Sequence, residues 1–176
     1  MVTTSDDAIA ATVRKLRDHG RADKYTHDLV GFNLRFNDIQ AAVGRRQLAL
    51  IESFTARRRA IAARYAAGLA AIDDLTLPVE RPGTRMVFHL YPLRTRDRAT
   101  RDALAAHLKT AGVETGVHYP LPNHRQPAIL KLMSPPPLPA SELAGATLLS
   151  LPMFPGLQDS EADQVVAAVR GFFASR

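Results

Sequence analysis

The chain has 176 residues, 46% of them hydrophobic and 23% charged, close to a soluble globular average and enough apolar material for a core. It has no cysteine, which excludes a disulfide framework and any thiolate metal site. No run approaches the ~18 apolar residues of a membrane span, and the opening MVTTSDDAIAATVRKLRDHG carries no apolar leader core, so a soluble, cytoplasmic protein is expected. Lysine and arginine total 23 against 17 acidic residues, a net +6 that attracts polyanions in general. The positive charge is scattered through Arg14-Lys15-Leu16-Arg17, Arg45-Arg46 and Arg57-Arg58-Arg59, which argues against a nucleic-acid interface.

In chain order, Val2–Thr4 reads as a short strand, and Ser5 or Asp6 as the cap of a helix with Ile9, Val13 and Leu16 on one face, ended by Gly20. Residues 21–36 keep no period and read as a loop. Asn37 then stands as an N-cap, with Gln40 three residues on completing a capping box. Beyond it Ile39, Leu50, Ile61 and Ile72 recur every eleven residues, as do Val43, Phe54 and Tyr65. That period of ~3.67 per turn keeps a stripe on one face of a nearly straight helix. Unbroken from about residue 38 to 71, it would run ~50 Å at ~1.5 Å per residue, longer than the roughly 40 Å diameter of so short a compact chain. Something beyond its own body must then cover the stripe, and Gly44 is the place where such a helix would bend.

A strand at about Leu75–Val79, a turn at Arg81-Pro82-Gly83 and a second strand at about Met86–Arg94 follow. Pro92 lacks a backbone donor, which predicts an edge position for that strand. Residues 97–111 form an amphipathic helix closed by Gly112, and Val113–Tyr119 reads as another strand. Residues 120–139 are proline-rich and irregular, and helices start at Ser141 and at Ser160. This is a mixed α/β layer with one long helix that belongs to a larger assembly.

Six histidines (19, 27, 89, 107, 118 and 124) offer no His-x-x-x-His pair on one helix, so no metal site is expected. His107 in a helix and His89 in a strand read as structural. No phosphate loop, dinucleotide fingerprint or nucleophile elbow is present. Two loops are chemically richer. Asn33 and Arg35 place an amide and a guanidinium two residues apart before a helix start, a donor set suited to phosphate, or simply a solvated turn. His118 and Tyr119, with His124 close behind, put polar rings at a strand end entering a rigid loop, where binding sites are common.

Four segments in order, HDLVGFNLRFNDIQAAVGRRQL, ARRRAIAARY, GVHYPLPNHRQPA and LLSLPMFPGL, together with the opening helix, resemble the DegT/DnrJ/StrS family of sugar aminotransferases over nearly all of residues 1–174. The resemblance implies an α/β fold: the C-terminal small domain of a fold-type-I pyridoxal-phosphate aminotransferase plus the long interdomain helix, with most of the large N-terminal domain absent. Residues 1–36 would be the remnant of the large domain, 37–72 the helix and 73–176 the small domain. It further implies a homodimer, amino transfer from glutamate or glutamine to a ketone on a nucleotide-linked sugar, and pyridoxal phosphate held by a Schiff-base lysine. Asn33 and Arg35 would reach the cofactor phosphate across the dimer; His118, Tyr119 and His124 would line the sugar-nucleotide site.

The family's lysine, its acidic partner and its ring-stacking residue all belong to the region before Met1. Lys15, Lys24, Lys109 and Lys131 match other segments, so no catalytic residue is nominated and the isolated chain is expected to be inactive and to self-associate. Two alternatives stand beside this: a subunit of a split aminotransferase completed by a separate N-terminal half, and a non-catalytic basic binding module on the same scaffold.

Overall fold

The structure is a computed structural model that describes residues 2–174; Met1, Ser175 and Arg176, which the divisions above include, lie outside the described residues. The chain separates into two compact units that meet at Leu50 and Ile51, inside the segment expected to be one long helix.

The first unit holds α1 (Asp7–Leu16) and α2 (Asp38–Leu48). Asp6 caps α1, its carboxylate accepting from the Ala8 and Ile9 amides. Val2–Thr4 is not a strand; the Thr4 hydroxyl instead accepts from the Asp6 amide. After α1 the chain turns through Gly20, whose φ of 70° suits a residue without Cβ, and its amide donates to the Lys15 carbonyl. The loop then returns along the end of α1. His19 donates to Phe32 O (2.8 Å), Phe32 to Leu16 O (2.7 Å) and Leu34 to Arg17 O (2.9 Å). A Cβ on Gly31 would lie 2.0 Å from Gly20 N, so this return demands glycine. The capping box at Asn37 and Gln40 is formed in both directions.

The expected single helix is divided. At Leu50 the amide donates to Gln47 O (3.0 Å), an i→i−3 bond that tightens the last turn and ends the i→i−4 ladder. Gly44, where a bend was expected, lies inside α2. A new helix, α3 (Ile51–Leu69), then starts in the second unit.

The second unit adds β1 (Leu75–Thr76), β2 (Tyr91–Thr95), α4 (Arg98–Thr110), α5 (Pro127–Leu130), α6 (Pro139–Thr147), β3 (Leu148–Leu151) and α7 (Asp159–Ala174). The three strands form an antiparallel sheet in the order β1-β2-β3, so β2 is central and the expected edge position for Pro92 is corrected. Pro92 is tolerated because β1 pairs only with Thr95 and Arg94, leaving the flank of β2 beside Pro92 without a strand on that side. The strands are also shorter than expected. Met86–Leu90 is not extended ladder, because Phe88 turns at φ 48°, and Val113–Tyr119 shrinks to one bridge between Gly116 and Ser150.

Tyr91, Leu93 and Thr95 alternate into the core from β2. Leu104 and Leu108 of α4, and Ala162, Val165, Val169 and Phe172 of α7, keep helical spacing on the same core. Helix α3 packs along α7, α7 along α4, and α4 over β2 and β3. A Cβ on Gly68 would meet Val166 at 2.6 Å, which sets how closely α3 and α7 approach. Arg57 and Arg64 of α3 clasp Asp159 at the start of α7, and Arg64 adds Asp163. Buried Tyr65 donates to Pro152 O (2.9 Å) and meets Tyr91 edge-on at 5.1 Å.

Candidate functional site

The five residues singled out in the sequence fall into two groups, one in each unit. In the first unit, the pairing of residues 32–34 with the end of α1 sets Asn33 opposite Asp18. Arg35 Nε donates to Asn33 Oδ1 (3.3 Å), and Arg35 Nη1 lies 3.2 Å from Asp18 Oδ1, a buried oxygen that accepts no hydrogen bond. With its oxygen turned to Arg35, the Asn33 amide N–H group is left for an outside acceptor, beside a guanidinium that is itself exposed. An amide donor next to a cation matches the oxygens of a phosphate, and Asp18 is the opposing charge that an anion would have to displace. The start of α2 contributes less than expected. Its Gln40 amide is spent on Asn37, the amide of Asn37 on Gln40, and Asp38 already offsets the helix dipole. Lys15 pairs with Asp28, and Lys24 lies over the Tyr25 ring.

In the second unit, His118, Tyr119 and His124 line one open cavity of about 460 Å³, together with Pro122, Ser141 and Gly145. Gly116 pairs with Ser150 of β3 through two backbone bonds, of 3.1 and 2.7 Å, which fixes where the next residues leave the sheet. A Cβ on Gly116 would strike the His118 ring at 2.5 Å, so the ring lies over the glycine and its Nδ1 reaches Ser150 Oγ at 3.0 Å. The Tyr119 ring stands edge-on to it, 5.5 Å away, and is 71% exposed.

His124 sits in a 3₁₀ turn at Asn123–Arg125 and is nearly buried. Its Nε2 is 3.0 Å from Glu142 Oε1, and Arg125 brings Nε and Nη2 to the same oxygen at 3.1 and 2.7 Å. These bonds, that of His124 first, hold the Glu142 carboxyl below the usual carboxylate range. One turn later on the same face of α6, buried Gly145 admits the loop: a Cβ there would press on Pro120 O and the Pro122 ring at 3.3 Å. Sequence reading missed Glu142, Ser150 and Gly145. No local signal marks them, because Glu142 meets His124 across 18 residues and Ser150 meets His118 across 32.

Of the remaining histidines, His107 and His89 were expected to be structural. His107 donates from Nε2 to Ala168 O (3.2 Å) and packs on Phe172, as a structural histidine should. His89 lies outside the strand expected for it. Among the described residues no His, Asp and Glu cluster is arranged to hold a metal, and no helix is long and apolar enough to cross a membrane.

The comparisons with known proteins agree with one another. The family model of the DegT/DnrJ/EryC1/StrS aminotransferases matches residues 1–170. The dTDP-3-amino-3,4,6-trideoxy-alpha-D-glucose transaminase of Streptomyces venezuelae is 41% identical over 170 residues, which cover 96% of this chain and 44% of that protein. The UDP-N-acetyl-3-dehydro-alpha-D-glucosamine 3-aminotransferase of Acidithiobacillus ferrooxidans is 31% identical, over 97% of this chain and 45% of its own length. The crystal structure of S. venezuelae DesV in complex with a ketimine intermediate superposes with a TM-score of 0.87 at 40% identity, covering 99% of this chain and 46% of that one. The chain thus spans about half the length of the curated relatives it matches. On sequence and on structure it belongs to the DegT/DnrJ/EryC1/StrS aminotransferase family.

Proposed function

We propose that this chain is the C-terminal part of a pyridoxal-phosphate-dependent aminotransferase acting on nucleotide-linked keto-sugars, and that it is inactive by itself. The observation that carries the reading is the cavity shared by His118, Tyr119 and His124: an open wall of rings and polar atoms, of a size for part of a nucleotide sugar. The relatives named above act on dTDP- and UDP-linked sugars, which supports the substrate class.

Pyridoxal phosphate supplies the electron sink that amino transfer needs. In this chain Asn33 and Arg35 would bind its phosphate, with Asp18 holding the guanidinium in place until the anion arrives. His118 and His124 would orient the sugar nucleotide by hydrogen bonds, and the Tyr119 ring would cover it from the solvent side. Activity is expected from this region together with the lysine-bearing segment of the family, joined or co-expressed. The exposed apolar side chains of the first unit, among them Phe36 at 80% and Ile39 at 78%, favour the complemented form over the free one.

A titration of the chain with a dTDP-hexose, followed on the imidazole resonances of His118 and His124, tests the substrate reading. Saturable shifts of both are expected, and in His118→Ala the His124 resonance should saturate only at a higher sugar-nucleotide concentration. Resonances that stay fixed up to millimolar sugar nucleotide would remove it. Co-expression with a lysine-bearing half should then restore amino transfer, and Asn33→Ala or Arg35→Ala should weaken cofactor retention in that complex.

A further inference from the structure

We propose that Glu142 is a positioning residue: it holds His124 with its proton on Nε2 and thereby presents Nδ1 to the cavity as a hydrogen-bond acceptor for a hydroxyl or N–H donor of the ligand. The role of the cavity rests on the reading above; the protonation pattern does not.

An ionised carboxylate only accepts hydrogen bonds. Glu142 is kept ionised by three donor contacts to one oxygen, from His124 Nε2 and from Nε and Nη2 of Arg125. The imidazole nitrogen that faces it at 3.0 Å must therefore carry the proton. Arg125 matters here because its guanidinium answers the carboxylate charge, so the contact does not call for a second proton on the ring. A neutral imidazole protonated on Nε2 keeps a lone pair on Nδ1. That atom makes no hydrogen bond to the described residues, yet it is not among the sealed, unpartnered polar atoms. The opening beside His124 is the cavity.

The neighbouring histidine behaves differently. His118 Nδ1 meets Ser150 Oγ, and a hydroxyl both donates and accepts, so that contact suits either arrangement of the His118 proton. The wall therefore carries one acceptor of fixed sense at His124 and one group of adaptable sense at His118. Glu142 is fixed in turn, since Gly145 on the same face of α6 lets the Pro120–Pro122 loop seat directly on the helix. A ligand that fits must bring a donor to His124. In a nucleotide sugar this is a sugar hydroxyl or the imide N–H of a pyrimidine.

The full chain labelled with ¹⁵N-histidine tests this by long-range ¹H–¹⁵N correlation. In the unaltered protein His124 should show a proton on Nε2, protected from exchange. The protected proton should persist in Glu142→Gln, whose amide oxygen still accepts, and be lost in Glu142→Leu. Agreement of the backbone spectra of the three proteins would show that the loss is local. A proton on Nδ1 in the unaltered protein, or a protected Nε2 proton that survives Glu142→Leu, would overturn the proposal. Addition of a dTDP-hexose should shift the His124 Nδ1 resonance in the unaltered protein and in Glu142→Gln, and less in Glu142→Leu. A ligand that moves His118 and leaves His124 Nδ1 unmoved would overturn the acceptor role alone; one that moves neither ring would overturn it together with the substrate reading. If the shift survives with dTDP itself and vanishes with its N3-methyl derivative, the donor is the imide; if dTDP gives none, it is the sugar.

Discussion

The two units are ordered by different forces. In residues 51–174 sixteen hydrophobic side chains are buried in one cluster, from Ile61 to Phe172, and helix meets helix closely enough that Gly68 has no room for a methyl group. In residues 2–50 no large side chain is buried and only Gly20 is. There the order comes from caps, the return of residues 32–34 along α1, and two glycines whose backbones touch. Burial of a side chain stabilises by about 1.5–3 kcal/mol, whereas a net hydrogen bond contributes about 1 kcal/mol. The second unit thus holds its candidate site on a packed core. The first holds Asn33 and Arg35 on a hydrogen-bonded loop whose apolar neighbours face outward.

The largest expected contrast is between core and surface truncation. Leu104→Ala, at a fully buried position of α4, should cost about 2–5 kcal/mol in denaturant unfolding. Phe36→Ala, at an 80% exposed position, should change stability by less than about 0.5 kcal/mol. An equal loss at Phe36 would mean that its ring is covered in solution, and the comparison would fail. Glycines sharpen the same point. Gly68→Ala should cost about 1–3 kcal/mol against Val166. Gly44→Ala should raise stability by about 1 kcal/mol through helix propensity, because nothing lies within 4 Å of a Cβ there.

Loss of the α2 cap by Asn37→Ala should cost about 1 kcal/mol. It should be read as faster amide exchange at Gln40 with no change in the exchange of α7.

The smallest effects are those of pH. Hydrogen bonds from Arg57, with Arg64 nearby, hold the Asp159 carboxyl below its usual range. A depressed carboxylate contributes stability above its unfolded value of about 3.9 and loses it as pH falls through the lower folded value. Glu142 should follow the same course. At the other end, burial pushes the Tyr91 hydroxyl up to about 12. Its contribution is complete below about pH 10 and is lost as pH rises from there through about 12. Acid and alkaline unfolding followed by circular dichroism would check both signs, with Asp159→Asn flattening the acid limb and Tyr91→Phe the alkaline one.

Local chemistry made much of this molecule legible in advance. Asp6, and Asn37 with Gln40, cap the helices that follow them, and Gly20 and Gly112 lie in the left-handed region just past a helix end. His118, Tyr119 and His124 were recognisable because rings cluster in one short proline-rich stretch, and they do share a cavity. The eleven-residue stripe was real as a pattern but half right as a structure. Ile61 and Tyr65 are buried, while Ile39 and Val43 are 78% and 57% exposed. Periodicity reports which face is apolar, and it does not report what covers that face.

By itself, then, the sequence determined the family, the caps of the first two helices and the residue types at the candidate sites, all of which depend on neighbours within a few positions or on ordered motifs. The tertiary structure alone decided that the long helix divides at Leu50 and that β2 runs through the middle of the sheet despite Pro92. It also decided that Glu142, Ser150 and Gly145 stand behind the histidines. The last three rest on partners 18 or more residues away and the course of β2 on the want of one beside Pro92, and only the folded chain brings such partners together; the division at Leu50 is a local bond to Gln47 that the periodicity of the stripe does not report.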